Sequence, residues 1–171
     1  MELDNLIEQS TFLNKYKYLL KLYKPEELNL SVILGHYRRK LNIYFLNDNP
    51  TKSNIENFKN EIIFLIFVSF HSSNINQEEA SRLWSLICKN ILSKIFHYYL
   101  FAKYKDYKKY FFVIGMGKIG VKDLNFTSDI DLIIFFDSRN SPYELHEFNK
   151  SIKTLISDIS NISPTFFHKI D

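Results

Sequence analysis

The stretch Gly115-Met116-Gly117-Lys118-Ile119-Gly120, followed after two residues by Asp123-Leu124-Asn125-Phe126-Thr127-Ser128-Asp129-Ile130-Asp131-Leu132, decides how this chain is read. Ahead of it, Phe111-Phe112-Val113-Ile114 is a short β-prone run. Glycines directly after a strand allow a tight turn in which backbone amides approach a ligand closely. Asp129 and Asp131 lie two residues apart in a run of strand character, so both side chains are expected on one face. Two neighbouring carboxylates repel. With Ile130, Leu132, Ile133, Ile134, Phe135 and Phe136 around them, their desolvation calls for a partner cation, and a divalent metal is the natural candidate. Lys118 beside the turn suits phosphate, and Ser128 is placed to donate its hydroxyl to a carboxylate or a phosphate oxygen. The expected order is strand, phosphate turn, then a strand carrying two metal-binding acids.

Generic nucleotide motifs do not account for this stretch. The G-x-x-x-x-G-K-[ST] spacing of a P-loop is absent, and Ile119 rather than Ser or Thr follows Lys118. A dinucleotide fingerprint is set aside because the third glycine is read as coming too early for G-x-G-x-x-G and no helical pattern follows the glycines immediately.

Taken together, the glycine turn and the Ser128-Asp129-Ile130-Asp131 run resemble the signature of the glutamine synthetase adenylyltransferase and adenylyl-removing enzymes, a family of the DNA polymerase beta-like nucleotidyltransferase superfamily. In that superfamily a glycine pair, a spacer and Asp-x-Asp on one strand are joined by a third acid on a later strand. Gly117-Lys118 falls at the glycine pair, and Phe166-Phe167-His168-Lys169-Ile170-Asp171 is similar to the start of the segment that brings the third acid, which puts Asp171 in that role. His36-Tyr37-Arg38-Arg39-Lys40 is similar to an Arg-rich helix upstream. The sequence departs from the pattern at Asp123, where the family usually has Glu, and at Val121-Lys122, which replace a Gly-rich pair. It also stops on Asp171, so the resemblance covers a front portion of a longer enzyme and implies weak or no activity for this length alone.

The resemblance implies Mg²⁺ or Mn²⁺ held by Asp129, Asp131 and Asp171 as the catalytic and metal-binding acids. Gly115, Gly117, Lys118, Gly120 and Ser128 would hold the nucleotide and its phosphates. The reaction implied is AMP transfer at a tyrosine of glutamine synthetase, with ATP, ADP and phosphate as small-molecule partners and a nitrogen-signalling protein as a regulator. Of the two units in such enzymes, the Gly-Met-Gly-Lys form followed by Leu124-Asn125 looks more like the adenylyl-removing one, which uses phosphate to release ADP. Rival readings are a catalytically incomplete fragment that binds nucleotide, a uridylyltransferase of a nitrogen-signalling protein, and a helical interaction module that the sheet merely scaffolds.

Composition sets broad limits. With 171 residues, 46% hydrophobic, the chain has material for a core, and only four Gly and four Pro favour long helices. A net charge of +3 with interspersed signs does not demand a nucleic-acid partner. The single cysteine, Cys88, sits in an apolar helical pattern as a buried small hydrophobe, excludes an internal disulfide and fits a reducing cytoplasm. No signal peptide is legible around Glu2 and Asp4, and Ile62 to Phe70 is too short to span a bilayer, which needs about 20 residues. A cytoplasmic protein with no membrane partner is expected.

The pattern predicts an α+β protein. A helical lobe over residues 1–108 precedes the start of a nucleotidyltransferase mixed sheet over 109–171, incomplete at its end. Helices are expected from Leu3 to Tyr23, ending before Pro25, and from Glu26 to Leu46. Ser53-x-x-Glu56 and Asn76-x-x-Glu79 are capping boxes for two more, the last running towards Tyr104. Strands are expected at Tyr110 to Ile114, Asp129 to Phe136 and Thr165 to Asp171, with a helix opened by Ser141-Pro142-Tyr143-Glu144 and running to Ile159. Lys103, Lys105, Lys108 and Lys109 among tyrosines read as cations at a helix C-terminus, and the scattered histidines show no metal-ligand spacing.

Overall fold

A computed structural model of the chain describes residues 2–45, 52–101 and 103–162; the expected strand from Thr165 to Asp171 lies outside them. The fold is α+β. The chain divides into two compact units, Met1–Leu83 and Trp84–Asp171, and the division falls inside a long helix.

The first unit is helical: α1 (Leu3–Gln9), α2 (Thr11–Tyr16), α3 (Leu30–Phe45), α4 (Lys52–His71) and the start of α5 (Gln77–Phe101), with two short 3₁₀ turns, Lys17–Lys21 and Pro25–Glu27. The single helix expected from Leu3 to Tyr23 is broken at Ser10, whose backbone is extended and whose Oγ accepts from the Leu13 amide at 3.2 Å. A serine with this geometry is an N-cap, so it restarts the helix instead of continuing it. Likewise α3 begins at Leu30 rather than Glu26, because the Asn29 side chain accepts from the Ser31 and Val32 amides. Ser53 does not cap α4, which already runs from Lys52. The Asn76 box does form: Asn76 Oδ1 accepts from the Glu79 amide at 2.9 Å and Glu79 Oε2 from the Asn76 amide at 2.8 Å.

Helix α4 is the centre of this unit. Ile62, Phe64, Leu65, Ile66 and Val68 are buried almost all round it, as expected of a helix packed on several sides. Tyr37 of α3 meets Phe58 with ring centroids 5.9 Å apart, and Ser69 Oγ donates to the Leu28 carbonyl at 2.6 Å.

The second unit holds the rest of α5, a 3₁₀ turn (Tyr107–Lys109), β1 (Phe111–Gly115), α6 (Gly117–Gly120), β2 (Leu132–Phe136) and α7 (Leu145–Ile162). Strands β1 and β2 are antiparallel, pairing Phe111 with Phe136, Val113 with Ile134 and Gly115 with Leu132. Alternation puts Phe111 and Phe136 on an inner face, where Phe148 of α7 covers both, at centroid distances of 5.4 and 4.1 Å, and Phe96 of α5 lies 5.9 Å from Phe111. Phe148, Ile152 and Leu155 recur at helical spacing to form the buried stripe of α7. That helix starts at Leu145, later than the Ser141-Pro142 box implied, because Ser141 Oγ accepts from the amide two residues on, Tyr143, and closes a local turn. Cys88, Trp84 and Phe96 are buried, as expected of core residues. No helix among the described residues is long and apolar enough to cross a membrane.

Candidate functional site

The glycine turn and the acid pair are brought together by the β1–β2 pairing. Beyond the last register pair, Gly115 with Leu132, the Met116 amide donates to the Asp131 carbonyl at 2.8 Å, so the turn leaving β1 runs beside the chain entering β2. Gly117 has φ +51°, the left-handed region that favours glycine, and a Cβ there would lie 2.6 Å from Asp131 Oδ2. The Asp131 carboxylate thus occupies the space that any other residue at 117 would fill. A Cβ at Gly120 would lie 2.6 Å from the Gly115 carbonyl oxygen, which is why the turn can fold back on β1.

Two expectations are corrected. Asp129 and Asp131 do not lie within the strand, since β2 starts at Leu132, and both are exposed. The burial that was to make a partner cation obligatory is absent; the acids lie beyond the last register pair of β1 and β2, in contact with water. The glycines at 115, 117 and 120 also have the spacing G-x-G-x-x-G and follow a strand, and a helix does start at Gly117. That helix has four residues and leads to an antiparallel partner strand, whereas the dinucleotide fold needs a long crossover helix and a parallel strand, so the dinucleotide reading stays excluded.

The segment between the turn and the acids is held at both ends. Asn125 Oδ1 accepts from the Thr127 amide at 3.0 Å and from the Ser128 hydroxyl at 2.8 Å, while Ser128 Oγ accepts from the Asn125 amide at 3.1 Å. Ser128 therefore spends its proton on the loop and shapes the approach to Asp129, instead of donating to a carboxylate. Leu124 is buried, and its amide donates to Ser85 Oγ of α5 at 3.0 Å; Phe126 meets Trp84 edge-on at 5.2 Å. Sequence reading missed Ser85 and Trp84 as anchors of this loop, because a contact 39 residues away leaves no local signal. Lys118 is exposed on α6. Asp171 lies outside the described residues, and among those described no group of three or more His, Cys, Asp or Glu is placed to hold a metal ion.

The donor set suits magnesium nonetheless. Mg²⁺ keeps several waters and is commonly held by one or two carboxylates together with substrate phosphates, and two exposed aspartates are compatible with that. Asp129 and Asp131 are the residues that would hold it.

The family model for glutamate-ammonia ligase adenylyltransferase matches residues 6–155, and the chain belongs to that family. It is similar to proteins named bifunctional glutamine synthetase adenylyltransferase/adenylyl-removing enzyme: 55% identical over 29 residues in Rhizobium meliloti (17% of this chain, 3% of the relative). The corresponding protein of Bradyrhizobium sp. (strain BTAi1) is 48% identical over 42 residues (25% and 4%), and that of Brucella suis 43% identical over 49 residues (26% and 5%). The matched stretch of the chain spans 3 to 5% of the length of these relatives. No solved structure matches.

Proposed function

We propose that this chain carries the glycine turn and the first two acids of a magnesium-dependent nucleotidyltransferase site that acts on glutamine synthetase. The observation that supports this most is the seat of the Asp131 carboxylate on Gly117, which couples an acid to a phosphate turn through a residue that only glycine fits. In the adenylyl-removing direction, a phosphate oxygen forms a bond to the phosphorus of tyrosine-linked AMP. The bond from that phosphorus to the tyrosine oxygen breaks, ADP forms, and the tyrosine oxygen leaves to be protonated. In the opposite sense the tyrosine hydroxyl attacks the α-phosphorus of ATP and pyrophosphate leaves. Lys118 and the amides of residues 115–120 bind and orient the phosphates in either direction. Asp129 and Asp131 hold Mg²⁺, which when bound supplies positive charge to the transferred group. Asp171 completes the acids in this reading.

A second reading is a nucleotide-binding fragment without turnover; no third acid stands beside Asp129 and Asp131 among the described residues, and Asp171 lies outside them. Asp129→Asn separates them. Under the enzyme reading it weakens Mg²⁺-nucleotide binding by calorimetry and, in a full-length enzyme carrying this unit, abolishes phosphate-dependent release of AMP as ADP. Unchanged metal affinity would refute the site. Retained release alongside lost binding would assign turnover elsewhere.

A further inference from the structure

The segment that carries the acids is fastened to α5 as well as to the sheet. Leu124 and Ile130 are each 1% exposed, and Ile130 lies between Asp129 and Asp131, which both face water. Burial of its own side chain therefore fixes neither acid; each goes where the backbone of residues 124–131 is held. One end of that segment is tied to the sheet, through the Met116 amide and the Asp131 carbonyl at 2.8 Å. The other is tied to α5, where Ser85 Oγ accepts from the Leu124 amide at 3.0 Å and the Trp84 ring meets Phe126 edge-on at 5.2 Å. Asn125 closes the span between them, its Oδ1 accepting from the Thr127 amide and the Ser128 hydroxyl.

Ser85 is 2% exposed and lies among Leu83, Trp84, Ile87 and Cys88, all buried, in the interior of a helix where alanine is the better helix former. A hydroxyl in such a place is costly unless it is bonded, and an amide as buried as that of Leu124 is costly without an acceptor. Each satisfies the other across 39 residues of chain. The helix needs no such group; the loop does. We infer that Ser85 is a positioning residue for Asp129 and Asp131, acting through the Leu124 amide with Trp84 beside it, in the nucleotidyltransferase site proposed above, on which this inference rests. Carboxylates that share an ion with substrate phosphates must be held to within about 0.5 Å, and groups behind them supply that precision. A residue that works in this way touches neither ion nor nucleotide, yet its loss is felt in the binding of both.

The test is a double-mutant cycle on the whole chain, read by calorimetry with MgATP and by deuterium exchange of the backbone over residues 124–131. Ser85→Ala is expected to weaken MgATP about fivefold to tenfold and to speed exchange across that segment, with thermal melts showing that the variant stays folded. In the Asp129→Asn background the same substitution should change affinity by less than about twofold, because a residue that acts through the acids has little left to position once the pair is broken. Ile152→Ala, a truncation in the buried stripe of α7, destabilises the same unit and should leave MgATP affinity within about twofold of wild type. Unchanged affinity in Ser85→Ala overturns the positioning role while the site stands. So does a loss of the same size in the Asp129→Asn background, or an equal loss in Ile152→Ala. MgATP binding that is indifferent to Asp129→Asn alone refutes the parent reading instead.

Discussion

Two carboxylate centres in this molecule are built on opposite plans. In the helical unit Glu61 is 3% exposed and saturated by the protein. His36 Nε2 donates to it at 2.9 Å, Tyr18 Oη at 2.7 Å, and Lys40 Nζ lies 3.3 Å away. The far nitrogen of His36 is 2.9 Å from the Tyr23 hydroxyl, which also accepts from Arg39. In the second unit Asp131 is exposed and seated on a glycine. A buried acid whose oxygens are taken up by side chains holds helices together; an acid left facing water beside a tight turn can accept a cation from solution. In the basic run Arg38-Arg39-Lys40, Arg39 and Lys40 are tied into the Glu61 centre, and Arg38 is exposed.

The largest effect expected from breaking this comparison is at Glu61. Glu61→Ala leaves His36 and Lys40 facing an emptied, buried position, and removing one partner of such a centre costs about 3 kcal/mol or more. For a domain of this size that is a fall in melting temperature of roughly 6 °C or more, read by calorimetry. The centre also sets an acid limit. Burial pushes the Glu61 carboxyl up, but the hydrogen bonds from His36 and Tyr18 and the Lys40 charge outweigh it and hold the group below its ordinary value of 4.5. A folded value below the unfolded one means the contribution is present in full above about pH 4.5 and is lost as pH falls through the lower folded value. Stability measured from pH 7 downward should therefore drop below pH 4.5, and Glu61→Gln should flatten that drop. An unchanged acid limb in the variant would remove Glu61 from the account.

A middle-sized effect is expected at Gly117. Gly117→Ala forces a left-handed backbone on a residue with a Cβ, at about 1 to 2 kcal/mol, and places that Cβ where Asp131 Oδ2 now sits. Both penalties act together, so melting temperature falls by a few degrees while Mg²⁺-nucleotide binding falls much further. Equal binding by Gly117→Ala and wild type would show that the acid does not depend on its glycine seat.

These two centres were not equally legible. The acid pair and its glycines lie within 17 residues of each other, so their residue types and spacing pointed to a candidate site, and the flanking β1 and β2 were found to within a residue or a few. What the sequence hid was environment. Alternating apolar neighbours suggested burial at Asp129 and Asp131, but the ladder stops at Leu132 and leaves them outside it. The Glu61 centre joins His36 of α3 from 25 positions away and Tyr18 of the 3₁₀ turn from 43, and the Ser85 to Leu124 bond spans 39, so neither leaves a local pattern. Helix breaks at Ser10 and Asn29 were missed for a different reason. Apolar periodicity continues through both, and only the short-range competition of a serine or asparagine side chain for backbone amides marks the restart.

The smallest effect on folding is expected at Asp131 itself. Asp131→Asn keeps the shape that fills the space beside Gly117 and changes an exposed group, so stability should move by no more than about 0.5 kcal/mol. It removes one of two negative charges beyond the last register pair of β1 and β2, and relief of their repulsion could even raise the melting temperature slightly. Binding should respond in the opposite sense, because a magnesium site with two protein carboxylates loses much of its charge when one becomes an amide. A variant as stable as wild type but with Mg²⁺-nucleotide affinity sharply reduced is the signature of an acid kept for an external cation. Were Asp131→Asn instead to cost as much stability as Glu61→Ala, the two centres would share one structural role, and the contrast between them would fail.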